Sequence, residues 1–475
     1  MINVKIDSAI HLNPNDLAPG VLEKILGELT VINPAKKSAE REMLWNAKDI
    51  PSHLKLYRFN GHNELMLPRG ALFECAALGI SEWNDQRTYD NTKSYHLADP
   101  YTNLRDYQDL AVQELFTFTG GVYKAPTGSG KTTVMLELIR CCDQKTIVLC
   151  EKFDIAQQWM NSADELGFKS VGLINEGNTE SDADLIIAMR QSVYAADLAQ
   201  GWFDRFGCVV VDECHHCSAE TMFELVQRFP AYFRYGCSAT PDTDPDLFPI
   251  ARAVIGPVVA QSTPEQIGEH LVIPSVRVVK TSFDFPYRPT ERRGKKVIRN
   301  NYKDMMYDLE KDFDRNRIIT REVMREANEG NVCLVLSQRK KHLDELYNAF
   351  ISYPRERFMH VCFYTGETAK NDDITDLIKH INECDDPVVI FSTLAEEGTN
   401  IPRLDRLFLT YPGRKLRGFE QAIGRIMRTH PKKTDAVVYD FRDINVPLLN
   451  SQFRERAQMI YNKKGYKVET VECPE

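Results

Sequence analysis

The sequence predicts an α/β chain with two tandem parallel-sheet domains behind a small N-terminal α+β domain. Three observations predict it. Short apolar runs recur between residues 103 and 259 and again beyond residue 316, helical stretches separate them, and 475 residues suffice for about three domains of roughly 100–200 residues each. Strand-like runs without polar alternation imply burial on both faces, as in a parallel sheet covered by helices.

Residues 1–95 form the first predicted domain. Val21–Leu29 reads as a short helix, Leu54–Arg58 alternates like a strand, and Asn60-Gly61 signals a turn before Glu64–Leu67. Pro68-Arg69-Gly70 then breaks the pattern ahead of Ala71–Leu78. The second domain, 96–270, has strand candidates at Gly121–Lys124, Thr146–Cys150, Leu185–Ala188, Cys208–Asp212 and Tyr235–Ser238. Its helices are expected at Thr132–Cys142 and Asp154–Leu166. Residues 271–310 read as a basic connector or hairpin, in which Arg288, Arg292, Arg293, Lys295, Lys296 and Arg299 oppose only Glu291 between Pro286 and Arg299. The last domain, 311–445, has strand candidates at Val332–Leu336, Phe358–Phe363, Val388–Phe391, Arg406–Leu409 and Ala436–Tyr439. Its helices are expected at Lys341–Phe350, Asp373–Cys384 and Gly418–Met427, and residues 446–475 read as a tail.

Composition narrows the function classes. The chain is 43% hydrophobic and carries 59 Lys and Arg against 68 Asp and Glu, a net charge of −9. Collagen-like, wholly disordered and histone-type basic proteins are excluded. A polynucleotide partner then requires clustered basic residues, and Arg403–Lys464 holds 14 Lys and Arg against 6 Asp and Glu. No run reaches the roughly 18–20 apolar residues that span a bilayer, and Met1–Leu12 lacks a signal-peptide core. The expectation is a cytoplasmic protein with no membrane partner, and the twelve scattered cysteines suit reduced thiols.

Ala125-Pro-Thr-Gly-Ser-Gly-Lys-Thr132 follows a predicted strand and opens a predicted helix, the context of a P-loop. Thr127, Gly128, Ser129 and Gly130 let backbone N–H groups curl around phosphate oxygens at a helix N-terminus. Lys131 would neutralise the outer phosphates, and Thr132 would offer a hydroxyl to Mg²⁺. Cys208–Asp212 ends in a second signal, Asp212-Glu213, where α/β sheets place ligands. Asp212 would hold the Mg²⁺ shell and Glu213 would orient or deprotonate an attacking water. Cys214-His-His-Cys217 is no zinc site, because four consecutive ligand-type residues cannot all reach one tetrahedral ion.

More motifs follow in order: Leu104-Arg-Asp-Tyr-Gln108 upstream, Ser238-Ala-Thr240 after the acids, Ser392–Pro402 after a strand, and Gln421-Ala-Ile-Gly-Arg-Ile-Met-Arg428 on a helix. Over residues 100–445 this set resembles the superfamily 2 helicases, whose two sheet domains are RecA-like. Asp212-Glu-Cys-His215, Glu396-Glu-Gly-Thr-Asn-Ile-Pro402 and Pro68-Arg-Gly70 look closest to the XPB group and the phage UvsW-type branch-migration helicases. Asn400 departs from the Asp of many relatives.

The resemblance implies ATP and Mg²⁺ as cofactors and assigns roles by position. Arg105 and Gln108 resemble the adenine-reading pair, and Gly398 the ATP-side glycine. Gln421, Arg425 and Arg428 resemble the finger motif. The two arginines are expected on one helix face, stabilising γ-phosphate charge when the domains close. His215, Ser238 and Thr240 resemble the groups that couple hydrolysis to closure. Thr365, Gly366 and Thr393 resemble contacts to the nucleic-acid backbone. From their places at strand ends, Lys152, Arg190, Gln191, Gln338 and Arg339 are further candidates, and Arg292, Arg293, Lys295 and Lys296 suit a strand-separating hairpin or duplex-binding loop.

The expected function is an ATP-dependent DNA helicase or translocase that unwinds or branch-migrates forked and junction DNA, sequence-independently and without a required oligomer. Two alternatives remain at this level. One is an RNA or RNA–DNA hybrid helicase, because the motifs report phosphate chemistry; the other is an ATP-gated DNA-binding module of a larger complex.

Overall fold

Two seven-stranded, all-parallel sheets organise the chain, as their uninterrupted apolar strands require. The computed structural model describes residues 4–41, 47–80, 82–101, 103–178, 180–242, 244–286, 289–292, 295–298, 302–364, 373–393, 401–413 and 416–471. The chain divides into two units, Met1–Ile267 and Gly268–Glu475.

In the first unit the strand order is Val171–Ile174, Leu185–Met189, Thr146–Cys150, Cys208–Asp212, Phe233–Ser238, Gly120–Lys124, Val258–Gln261. The P-loop strand Gly120–Lys124 and the acid-bearing strand Cys208–Asp212 thus flank Phe233–Ser238. Because all run parallel, their C-terminal ends emerge together, where ligands bind in such sheets. Helices Lys131–Cys142 and Phe153–Glu165 pack on this sheet; Val134, Leu138, Ile155 and Trp159 join Val148, Ile187 and Val210 in one core.

The N-terminal residues build a second, five-stranded sheet in the order Arg58–Phe59, Leu65–Pro68, Ala9–Leu12, Val4–Ile6, Asn84–Asp85. It belongs to the first unit and is tied to the parallel sheet through Pro68-Arg69-Gly70. The buried Arg69 guanidinium donates to the carbonyls of Ala231 and Tyr232, the latter at 3.0 Å. At Gly70 a Cβ would collide with the carbonyl oxygen of Arg252, so only glycine permits this approach.

The second unit has the order His360–Tyr364, Val388–Ser392, Val332–Leu336, Arg406–Leu409, Val437–Asp443, Ser275–Thr281, Val468–Val471. This corrects two boundaries. Ser275–Thr281, expected in the connector, is a strand paired along its length with Val437–Asp443. The expected tail contains helix Pro447–Arg456 and the edge strand Val468–Val471. Among the connector's described residues, Pro289–Arg292 pairs antiparallel with Lys295–Ile298, and Tyr302–Lys311 is a helix.

Burial of charge explains why the tail is anchored. Asp440, fully buried, accepts hydrogen bonds from Arg456 Nε at 2.8 Å, Arg456 Nη2 at 2.7 Å and the Tyr461 hydroxyl at 2.6 Å. Removing one partner of such a pair leaves an uncompensated buried charge. Asp440→Ala is therefore expected to destabilise the second unit by about 3–5 kcal/mol, read as a lower denaturation midpoint for that unit. The same burial corrects the charge count of Arg403–Lys464: Arg403, Arg406, Arg425, Lys433 and Arg456 are all buried, so that stretch offers less exposed positive charge than its sequence suggests.

Candidate active site

The P-loop connects strand Gly120–Lys124 to helix Lys131–Cys142. Gly128 and Gly130 take φ of +86° and +77°, left-handed values that keep the loop's backbone curled. A Cβ at Gly130 would also strike Gln108 Nε2. Lys131 Nζ lies 3.3 and 3.4 Å from the carbonyls of Ala125 and Pro126, within the loop it would leave for a phosphate. Thr127 and Thr132 are half-buried beside it, and the buried Ser129 hydroxyl has no hydrogen-bond partner among the described residues.

Arg105 and Gln108 meet this loop. Gln108 is buried; its amide donates to the Ser129 carbonyl at 3.2 Å, and its oxygen accepts the Arg105 backbone N–H at 3.0 Å. Tyr107, which sequence reasoning passed over between them, donates its hydroxyl to the same Ser129 carbonyl at 2.8 Å and accepts from Arg105 Nη1 at 3.0 Å. Gln108 thus positions the phosphate loop.

Asp212 and Glu213 stand at the neighbouring strand end. Asp212 receives the Trp159 indole N–H at 2.8 Å, the Cys237 thiol at 3.3 Å and the Glu213 backbone N–H at 2.8 Å. Burial raises the Asp212 carboxyl above the usual carboxylate range and the charge of Glu213 adds to this, while Trp159 and Lys131 oppose it. Trp159, 53 residues away in sequence, has no local signal that could have found it. Trp159→Phe is expected to raise the Mg²⁺ concentration for half-maximal ATPase about 10–100-fold, as loss of a hydrogen bond behind a metal ligand does. Turnover at saturating Mg²⁺ should change far less; a Mg²⁺ titration of ATPase rate checks it.

Glu213 has φ of +44°, a conformation that costs a non-glycine residue energy and turns its side chain toward Ser238. The Ser238 hydroxyl donates to Glu213 Oε2 at 3.0 Å. Ser238 Oγ in turn accepts the Thr240 N–H at 3.2 Å and lies 2.8 Å from His215 Nδ1, which is itself 3.2 Å from Glu213 Oε2. With the hydroxyl proton committed to Glu213, Nδ1 must carry the His215 proton. The structure brings the expected coupling residues His215, Ser238 and Thr240 into one chain with the acid.

In the second unit, Gln421 and Arg425 are buried one turn apart on helix Leu416–Ile426 and share a face. Arg428 is a correction: it lies two residues beyond that helix, in an antiparallel bridge with Leu271. The helix stops because Lys433 Nζ takes up the terminal carbonyls of Ile426 and Arg428, while Val272 N–H binds Met427 O at 2.8 Å. Burial pushes the Arg428 guanidinium down to about 10, so it stays charged at neutral pH.

The nucleic-acid candidates separate. Lys152, Gln191 and Gln338 are exposed at strand ends, and Thr393 is half-buried. The Arg190 guanidinium is held by Glu151 at 2.5 Å and by Thr221 Oγ1 at 3.0 Å. Arg339, half exposed, pairs with Glu310 at 2.7 Å. Arg292, Lys295 and Lys296 lie on the hairpin strands; Arg293, Thr365, Gly366 and Gly398 lie outside the described residues.

Comparison with known proteins agrees with this constellation. Residues 101–243 match the family described as type III restriction enzyme, res subunit, and residues 314–430 match the helicase conserved C-terminal domain. DNA 3′-5′ translocase XPB2 of Sulfurisphaera tokodaii is 23% identical over 70% of this chain and 80% of its own. Putative ATP-dependent RNA helicase L396 of Acanthamoeba polyphaga mimivirus is 23% identical over 96% of this chain and 85% of its own. Among solved structures, a fragment of a putative HsdR subunit of a type I restriction enzyme from Vibrio vulnificus covers 92% of this chain and 82% of its own. Its identity is 17% and its TM-score 0.57, a likeness of fold. With tandem parallel sheets, a P-loop, an Asp-Glu-Cys-His strand end and matches to both helicase regions, the chain is an ATP-driven helicase that resembles superfamily 2.

Proposed function

We propose that this helicase is a DNA translocase that unwinds or branch-migrates forked and junction DNA in recombination, repair or replication. The observation that carries the reading is the hairpin Pro289–Arg292/Lys295–Ile298. Its described strands carry Arg292, Lys295 and Lys296 beside the one acid Glu291, within a segment of six Lys and Arg, charge suited to polynucleotide phosphates. The relative named a DNA 3′-5′ translocase supports it, and tracking in the 3′→5′ sense is part of the proposal.

In this reading the P-loop amides and Lys131 bind the triphosphate of ATP, and the Gln108–Tyr107 clasp on Ser129 keeps the loop in shape. Thr132 and Asp212, a hard-oxygen donor set, would hold Mg²⁺, which neutralises phosphate charge when bound. Glu213 takes the proton of the attacking water. Arg425, with Arg428, stabilises charge developing on the γ-phosphate. Hydrolysis then changes the contacts that favour one arrangement of the units, and the Glu213–Ser238–His215 chain reports the state of the phosphate. Exposed Lys152, Gln191 and Gln338 meet the phosphodiester backbone, which needs no base recognition.

An RNA substrate is the second reading, favoured by the relative named an RNA helicase. ATPase rates with forked DNA, single-stranded DNA and RNA at matched salt distinguish them, with Lys131→Ala as the inactive control. The expected order is forked DNA above single-stranded DNA above RNA. Greater stimulation by RNA overturns the proposal.

A further inference from the structure

A second constellation lies at one margin of the second sheet and shares no residue with the nucleotide site. His360 is on the edge strand His360–Tyr364; His380 is in the last turn of helix Asp373–Glu383, and Cys384 follows it directly. One ligand atom from each lies within 4.8 Å of the others. The two imidazole Nε2 atoms are 3.4 Å apart. Two Zn–N bonds of about 2.0–2.1 Å at a tetrahedral angle place their nitrogens about 3.3–3.4 Å apart. Asp386 Oδ2 lies 3.6 Å from His360 Nε2 and is an ion-pair partner of that imidazole rather than part of the three-donor cluster.

An arginine stands behind the sulfur. The Arg403 guanidinium, buried and fixed by the carbonyls of Ile381 at 3.1 Å and Asp385 at 3.2 Å, places Nη1 3.1 Å from Cys384 Sγ. Such a supporting contact is a usual feature behind a metal-bound sulfur. His380 and Cys384 are four residues apart, joined by the Cys384 N–H to His380 O bond at 2.8 Å, so both side chains lie on one side of the helix end. A donor set of two imidazoles and one sulfur suits Zn²⁺ rather than Mg²⁺ or Ca²⁺, with the fourth position left to water.

We propose that His360, His380 and Cys384 form a zinc site that staples the edge strand of the second unit's parallel sheet to the end of the helix that follows it. Binding releases the Cys384 thiol proton to solvent as the Zn–S bond forms. The sequence hides the site: the spacing His380-x3-Cys384, with His360 twenty residues upstream of His380, contains no paired-cysteine motif.

The test uses the full chain, stripped with a chelator and titrated with Co²⁺. A thiolate-to-Co²⁺ charge-transfer band and tetrahedral visible bands should grow to one equivalent and vanish on adding Zn²⁺. Cys384→Ser should lose the charge-transfer band, whereas Cys141→Ser, a half-buried thiol elsewhere, should keep it. His380 is exposed, so His380→Ala should fold normally; it should weaken Zn²⁺ binding by at least about tenfold in a competition titration. Absence of the Co²⁺–thiolate band from the wild type overturns the proposal. So does unchanged Zn²⁺ affinity in His380→Ala, which would leave the cluster as a histidine–histidine hydrogen bond beside an arginine–thiol contact.

Discussion

Glu213→Gln is expected to abolish ATP turnover while leaving ATP binding and tight DNA association in place. The substitution keeps the size of the side chain and an oxygen that can accept the Ser238 hydroxyl, now 3.0 Å from Oε2. What it removes is the capacity to take a proton. A positioned general base contributes about 10²–10⁴-fold to rate, so the fall in kcat should lie in that range. The P-loop, Lys131 and Asp212 are untouched, so nucleotide affinity should change little. A protein that binds ATP but cannot cleave it then accumulates in its ATP-bound state, and DNA association should persist. Single-turnover hydrolysis, nucleotide binding and DNA binding in the presence of ATP measure the three parts separately. Wild-type-like hydrolysis would remove Glu213 from the proposed chemistry.

Arg425→Ala should lower DNA-stimulated kcat by about 10³-fold or more, the scale of an arginine that stabilises phosphoryl-transfer charge. The geometry of its own unit supports giving Arg425 the larger share. It lies on helix Leu416–Ile426 with Gln421 one turn before it, whereas Arg428 has left the helix for the bridge with Leu271. ATP affinity should change far less than kcat, because the contact is made to charge that develops during the reaction. Arg425→Lys keeps the charge but loses the planar fork, so it should rescue only a fraction of the rate. If Arg425→Ala hydrolyses ATP at the wild-type rate with DNA present, the finger assignment fails.

The interior strands were legible because burial on both faces forces continuous apolar sequence. Thr146–Cys150, Cys208–Asp212, Val332–Leu336 and Arg406–Leu409 have the same bounds in the sequence and in the structure. In the two parallel sheets the strands that escaped notice lie at or beside the edges. Val171–Ile174, Val258–Gln261 and Val468–Val471 are edge strands with one side open, and Ser275–Thr281, next to an edge, alternates buried with half-buried residues. In Ser275–Thr281 and Val468–Val471 partial exposure admits polar residues and erases the run on which recognition depends, while Val171–Ile174 and Val258–Gln261 are short strands of four residues each.

The site divides the same way. By itself the sequence determined the phosphate loop and the acidic pair, because contiguous residues in a strand–loop–helix context suffice to build them. Only tertiary structure decided that Trp159 supports Asp212, that Arg190 is held by Glu151, and that Arg428 stands apart from Arg425. Likewise, sequence displays the charges of Arg456 and Asp440, while the fold alone buries them against each other. The physical reason is common to all of these: a local motif carries its own geometry, whereas burial and long-range hydrogen bonding exist only once strands distant in the chain lie side by side.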